Sequence, residues 1–221
     1  MQQGTTGLLN HINELYMCSS KAKTVSIIKL IQHHNPKQGA ELEALINSHQ
    51  SGTCKCGCKS QGNLLSFARY LYESYRDYSK SNEVEYKSLD DCIVFMKTLF
   101  IDNSLRGNRM EMKVLQMLNK SKEILKINGV IEKSSELQDF KYGVDLVMKL
   151  SNTEVLGIQV KPISYKNFSN IHPVVLTNLN KNKLYLKPIV YIYYDKNNNI
   201  LDVENTSKEI LKHLSVGSHQ H

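Results

Sequence analysis

Three side chains in one short stretch have the types and spacing to do chemistry: Asp145, Gln159 and Lys161. They fall in two apolar, β-branched arms, 142–150 and 154–162, joined by the turn-forming run Ser151, Asn152 and Thr153. Successive residues of a strand point to opposite faces. Leu156, Ile158 and Val160 therefore face one way, and Gly157, Gln159 and Lys161 the other. In the first arm Val144, Leu146, Met148 and Leu150 share a face, and Asp145 points away from it. A carboxylate binds a hard divalent cation such as Mg²⁺ through oxygen. The amide oxygen of Gln159 and the backbone carbonyl of Val160 can add neutral oxygen ligands. Such a cation lowers the pKa of its bound water and offsets developing phosphate charge, and a nearby Lys161 can orient or deprotonate that water.

A fourth residue joins them from upstream. The stretch from Ser104 to Leu118 has helical spacing, with Val114, Leu115 and Leu118 on one inward stripe. Glu111 lies on that stripe, and a carboxylate aimed inward is costly unless a cation meets it. The plainer reading is a stripe-edge Glu paired with Arg109 or Lys113. Glu154 does not substitute for an acid at position 159. It lies five residues earlier, roughly 16 Å along a strand that rises about 3.3 Å per residue.

Asp145, thirteen intervening residues, then Gln159 and Lys161 at the ends of paired strands resemble the core of the PD-(D/E)xK nuclease superfamily. Val144 stands where that pattern often has Pro, and Gln159 where it usually has an acid. Glu111 matches the helix-borne metal-binding Glu that the superfamily often places before its Asp strand. The resemblance covers residues 104–195, and the run Gly157 to Pro162 is similar to the MjaI-type restriction endonucleases. It implies Mg²⁺-dependent hydrolysis of phosphodiester bonds in double-stranded DNA, by a type II restriction endonuclease acting as a homodimer. Asp145 and Glu111 would hold the metal, Gln159 and the Val160 carbonyl would assist, and Lys161 would position the water. Two other readings stand beside it. One is a repair or recombination nuclease selective for DNA structure, and the other a non-catalytic, zinc-containing nucleic-acid-binding protein.

The rest of the chain must position these residues. Its 221 residues can bury a sizeable core, and 41% hydrophobic with 22% charged content is ordinary for a globular protein. A net charge of +7 and a pI near 9.0 suit a polyanionic partner. No apolar run reaches membrane-spanning length and the N-terminus lacks a signal-peptide layout, so a cytoplasmic location is expected. Residues 1–100 read as a helical lobe: short amphipathic segments at 8–17, 24–32 and 40–48, an aromatic stripe from Leu64 to Tyr78, and a helix at 90–100. Such a stripe is more often core than a base-stacking platform.

Within the lobe, Cys54, Cys56 and Cys58 alternate in a loop flanked by Lys55 and Lys59. Closely spaced thiols beside cations favour the ionised form that binds Zn²⁺. A tetrahedral site needs a fourth ligand. His49 is nearest, with Cys18, His33, His34 and Cys92 as alternatives, and the plainer reading is a reduced, exposed loop.

Residues 101–216 are expected to form the nuclease-like core, with 217–221 a tail. The Asn- and Lys-rich stretch 176–183 suits phosphate contacts or simply a solvated loop. Residues 187–194 read as a buried strand, 195–199 as a turn, 200–203 as a partner strand, and 206–214 as a helix capped by Thr206. The expected fold is α/β: a helical N-terminal lobe, then a mixed sheet flanked by helices.

Overall fold

The computed structural model describes residues 5–16, 18, 27–50, 63–84, 87–167 and 173–217. It divides into two compact units, residues 1–106 and 107–221. Cys54, Cys56 and Cys58 lie outside the described residues.

The first unit is helical where described. Its helices are α1 (Thr5–Leu15), α2 (Ile27–His34), α3 (Gly39–Gln50), α4 (Leu64–Asn82) and α5 (Leu89–Lys97). A π-helical turn, Thr98–Asp102, leads into α6 (Asn103–Asn119), which carries the boundary between the units. Start signals are strong at α4 and α5. Asn63 and Ser66 form a reciprocal capping box, as do Ser88 and Asp91. Phe67, Ala68, Leu71 and Tyr75 are buried, so the aromatic stripe of α4 is core, packed with Leu9, Ile12, Cys92 and Met96. Leu30, Ile31, Leu42, Ile46, Ile101 and Leu105 form a second cluster.

The second unit is a four-stranded sheet in the order β1 (Gly129–Lys133), β2 (Leu146–Leu150), β3 (Thr153–Pro162), β4 (Ile189–Tyr194). β1, β2 and β3 are antiparallel neighbours, and β4 is parallel to β3. The β2–β3 turn is two residues long, with Ser151 and Asn152 both at positive φ (47° and 66°). That conformation matches the twist of the strands it joins. Helices α7 (Lys122–Lys126), α8 (Glu136–Tyr142), α9 (Pro173–Lys183) and α10 (Val203–Gly217) complete the unit. The main core sets Leu146, Met148, Leu156, Ile158, Val160, Val190 and Ile192 of the sheet against Met110, Val114 and Leu118 of α6. Trimming a fully buried residue such as Leu118 to Ala costs about 2–5 kcal/mol in such a setting.

The structure differs from the sequence reading at four points. Val144 does not join Leu146 and Met148; it packs with Val147 and Tyr185 on the other side, because Asp145 occupies a bend rather than a strand position. Residues 176–183 are not loop but part of α9, which opens on Pro173, a residue suited to the first helical turn. Residues 200–203 form no strand: Ile200 makes only an isolated bridge to Tyr194. Thr206 lies inside α10, its hydroxyl donating to the Asp202 carbonyl at 2.9 Å, so it is not the helix cap.

Candidate active site

Asp145 is pinned by its own backbone. Its N–H donates to the Ile158 carbonyl (3.0 Å), and its carbonyl accepts from the N–H (3.2 Å) and hydroxyl (3.1 Å) of Ser134. The preceding chain is shaped by α8. Ser135 and Gln138 cap that helix reciprocally, and Gly143 ends it at φ +67°. The Asp145 side chain is 9% accessible, and its Oδ2 accepts from the Val160 N–H (2.7 Å) and from Lys161 Nζ (3.2 Å). The antiparallel pairing of β2 with β3 therefore brings Asp145 and Lys161 together across the hairpin.

Glu111 reaches the same neighbourhood from α6. Its Oε2 lies 3.5 Å from Lys133 Nζ at the end of β1, and Lys133 also donates to Asn108 Oδ1 at 2.8 Å. The expected partners of the bland reading, Arg109 and Lys113, are not the ones seen on Glu111; Lys113 instead donates to the Asn198 carbonyl (2.7 Å). Burial, and after it the negative charge of Asp145, pushes the Glu111 carboxyl up to about 7, against the opposing pull of Lys133. Asp139 of α8 is raised too, by burial and then by Asp145. Burial pulls Lys161 down, but the charge and hydrogen bond of Asp145, helped by Glu111, raise it on balance. Three carboxylates and three ammonium groups, the third being Lys181 acting on Asp139, thus form one electrostatic unit.

Gln159 is fully enclosed (0% exposed). Its Nε2 donates to the Gly143 carbonyl, two residues before Asp145. A Cβ added at Gly143 would sit 2.8 Å from that nitrogen, so only glycine lets the helix end approach so closely. Gln159 Oε1 is the one buried side-chain oxygen without a partner among the described residues. Beside it, Asn182 is satisfied with its nitrogen toward the Tyr142 (2.8 Å) and Asn178 (3.2 Å) carbonyls and its oxygen accepting from the Tyr191 hydroxyl. Val160 lends its N–H to Asp145 and its side chain to the core. Glu154 is engaged elsewhere, accepting from Gln138 (2.6 Å), Tyr185 (2.6 Å) and Lys187 (3.0 Å).

Among the described residues, no three His, Cys, Asp or Glu side chains gather closely enough to form a metal site on their own. The donor set nonetheless fits a hard cation that keeps much of its water: mutually repelling carboxylates and an unsatisfied amide oxygen. His49, the nearest candidate for a zinc ligand, is buried, with Nδ1 2.6 Å from the Leu45 carbonyl. Cys18 and Cys92 are buried thiols in no disulfide, and burial pushes Cys92 up to about 12, far from thiolate.

Sequence reasoning did not find Asn108, Lys133 or Asp139. Ser135 with Gln138 three residues on, followed by Gly143, is the signature of a short capped helix and would have placed Asp139 near Asp145.

A mixed α/β core with an Asp–Lys pair at adjoining strand ends and a helix-borne Glu beside it has a restriction-endonuclease-like fold. The model of the MjaI restriction endonuclease family matches residues 6–210 of the 221. The chain belongs to that family of type II restriction endonucleases, whose activity is sequence-specific cleavage of DNA. No curated protein and no solved structure matches it. Among the described residues, no helix is long and apolar enough to cross a membrane.

Proposed function

We propose that the chain hydrolyses phosphodiester bonds in double-stranded DNA with Mg²⁺ held by Asp145 and Glu111. The Gln159 amide oxygen and the Val160 carbonyl are the neutral oxygens available to assist. The observation that carries this reading is the Asp145–Lys161 pair, which hydrogen bonding fixes at the strand ends. Bound there, the cation would supply an acidified water and charge compensation for the phosphate. Lys161 donates to Asp145 at 3.2 Å and is 21% accessible, so its ammonium can turn from that carboxylate toward a phosphate oxygen or a water. Asp145 holds Lys161 protonated, which makes it a donor that orients the water rather than a base that takes its proton. Lys133 and Asn108 hold Glu111 in place. Gln159 holds the Gly143 carbonyl and so fixes the approach to Asp145.

The protein acts in the cytoplasm, as a two-fold dimer on a palindromic site, the simplest way to cut both strands. A zinc ion held by Cys54, Cys56, Cys58 and His49 belongs to the same proposal for the first unit. Incubation with plasmid in Mg²⁺ or in EDTA tests the core reading. Discrete fragments only in Mg²⁺ are expected. A smear indicates the structure-selective nuclease, and a gel shift without cutting the binding protein. Sedimentation on the mapped site showing one chain per duplex would contradict the dimer.

A further inference from the structure

One strand over from Lys161, β4 carries tyrosines at alternate positions. Tyr191 lies in register with Gln159 and Tyr193 with Lys161 on the parallel neighbour β3. Partners in register point to the same face, one strand spacing of about 4.8 Å away. The rings of Tyr191 and Tyr193 are stacked, 6.1 Å between centroids at 17°. Tyr165 extends the stack from the turn after β3, 6.1 Å from Tyr191 at 21°. Lys166 Nζ lies 4.3 Å above the Tyr193 ring. Beside this ladder is a cavity of about 360 Å³ lined by Tyr191, Tyr193, Lys166, Asp202, Asn205 and Glu209, among others.

We infer that this cavity is a binding pocket for a single nucleobase bearing an exocyclic amino group, as adenine, cytosine and guanine do and thymine does not. Its size falls within the range of about 300–1,000 Å³ typical of small-ligand sites. The ladder offers parallel aromatic surface, on which a base can stack whatever its identity. Asp202 and Glu209 supply carboxylate acceptors on the lining and Asn205 an amide. Carboxylates accept from the amino group of cytosine, and amides pair with adenine. Thymine has no amino group to give. Lys166 supplies a cation for the phosphate attached to the base. Burial pushes Tyr191 up to about 12 and raises Tyr193, so both rings stay neutral at physiological pH.

The base has two possible sources: one extruded from bound DNA, or a free nucleotide. Only the first rests on the DNA-cleaving function proposed above. The test is binding, in EDTA, of the full chain to a labelled duplex with one unpaired adenine, to the same duplex with an unpaired thymine, to the fully paired duplex, and to deoxyadenosine monophosphate. At least fivefold tighter binding of the unpaired-adenine duplex than of the other two, lost in Tyr193→Ala, establishes the pocket with DNA as source. Saturable binding of the mononucleotide alone, weakened at least fivefold in Tyr193→Ala and Asp202→Asn, establishes it with a free nucleotide as source. Asp202 sits at φ +55°, where Asn is tolerated, so that variant keeps the fold if Tyr193→Ala does not. No preference and no mononucleotide binding, or binding that both variants leave unchanged, overturns the pocket. These measurements need no cleavage, so failure of the plasmid assay leaves them intact.

Discussion

Replacing Glu111 with Gln should abolish cleavage and stabilise the protein, with an effect that depends on pH. A carboxyl whose proton affinity rises from 4.5 in the unfolded chain to about 7 in the folded one is penalised when it ionises. Each tenfold change in affinity is about 1.4 kcal/mol, so the full penalty is about 3 kcal/mol. The side chain remains 28% accessible, and solvent screening reduces this to about 1–3 kcal/mol. The sign follows from which state holds the proton. Below about pH 4.5 both folded and unfolded chains are protonated at this group and it contributes nothing. As pH rises toward 7 the unfolded chain releases its proton first, and stability is lost. Above 7 the loss is complete. Gln cannot ionise, so in EDTA Glu111→Gln should be more stable than wild type by about 1–3 kcal/mol at pH 8 and nearly equal to it at pH 4. Urea unfolding followed by tyrosine fluorescence reads both, since the chain has 12 Tyr and no Trp. Added Mg²⁺ should recover stability in wild type at pH 8 and not in the variant. An equal stability difference at the two pH values would refute the reasoning.

Asp145→Ala and Lys161→Ala should each reduce cleavage to background while gel shifts show DNA still bound; wild-type cutting by Lys161→Ala would sink the assignment. Gln159→Glu should retain weak activity with an altered metal preference, and should lose about 1–3 kcal/mol of stability at pH 8 because an ionised carboxylate cannot donate to the Gly143 carbonyl. That loss should shrink as pH falls and the acid regains its proton; a variant equally stable at all pH values counts against the buried geometry. Protein purified without chelators should carry one zinc per chain by elemental analysis, and chelation should loosen the first unit; absence of metal removes the zinc site.

The pairing of Asp145 with Lys161 was legible because a two-residue period leaves few ways to align two strands across a short turn. Glu111 was legible for the equivalent helical reason: it shares a stripe with Val114 and Leu118, both fully buried. Alternation misled at Val144, where the strand has not yet begun and the period does not apply. Elements of five to seven residues, β1 and α8, left too short a pattern to read, and with them went Lys133 and Asp139. The helix α9 was hidden by composition. Asn is a poor helix former, but Asn178 and Asn182, one turn apart, bond to Tyr165 and Tyr191, so tertiary contacts offset the poor propensity.

The site does not share the positive excess of the chain. The protein carries a net charge of +7, which draws a polyanion to it at long range. Glu111, Asp139 and Asp145 are matched there by Lys133, Lys161 and Lys181, three acids to three ammonium groups, and burial has already raised the proton affinity of two of the acids. A bare phosphate brought to this spot would add negative charge where it is least tolerated. Protonating Glu111 is one remedy, but it would weaken the hold on the cation proposed above. The divalent cation proposed above is the other, and it would offset the charge of the carboxylates and of an incoming phosphate together. On the function proposed above, the burial of Glu111 that costs stability in the free protein would favour cation and DNA binding together, and a neutral residue at position 159 keeps that cost from rising further.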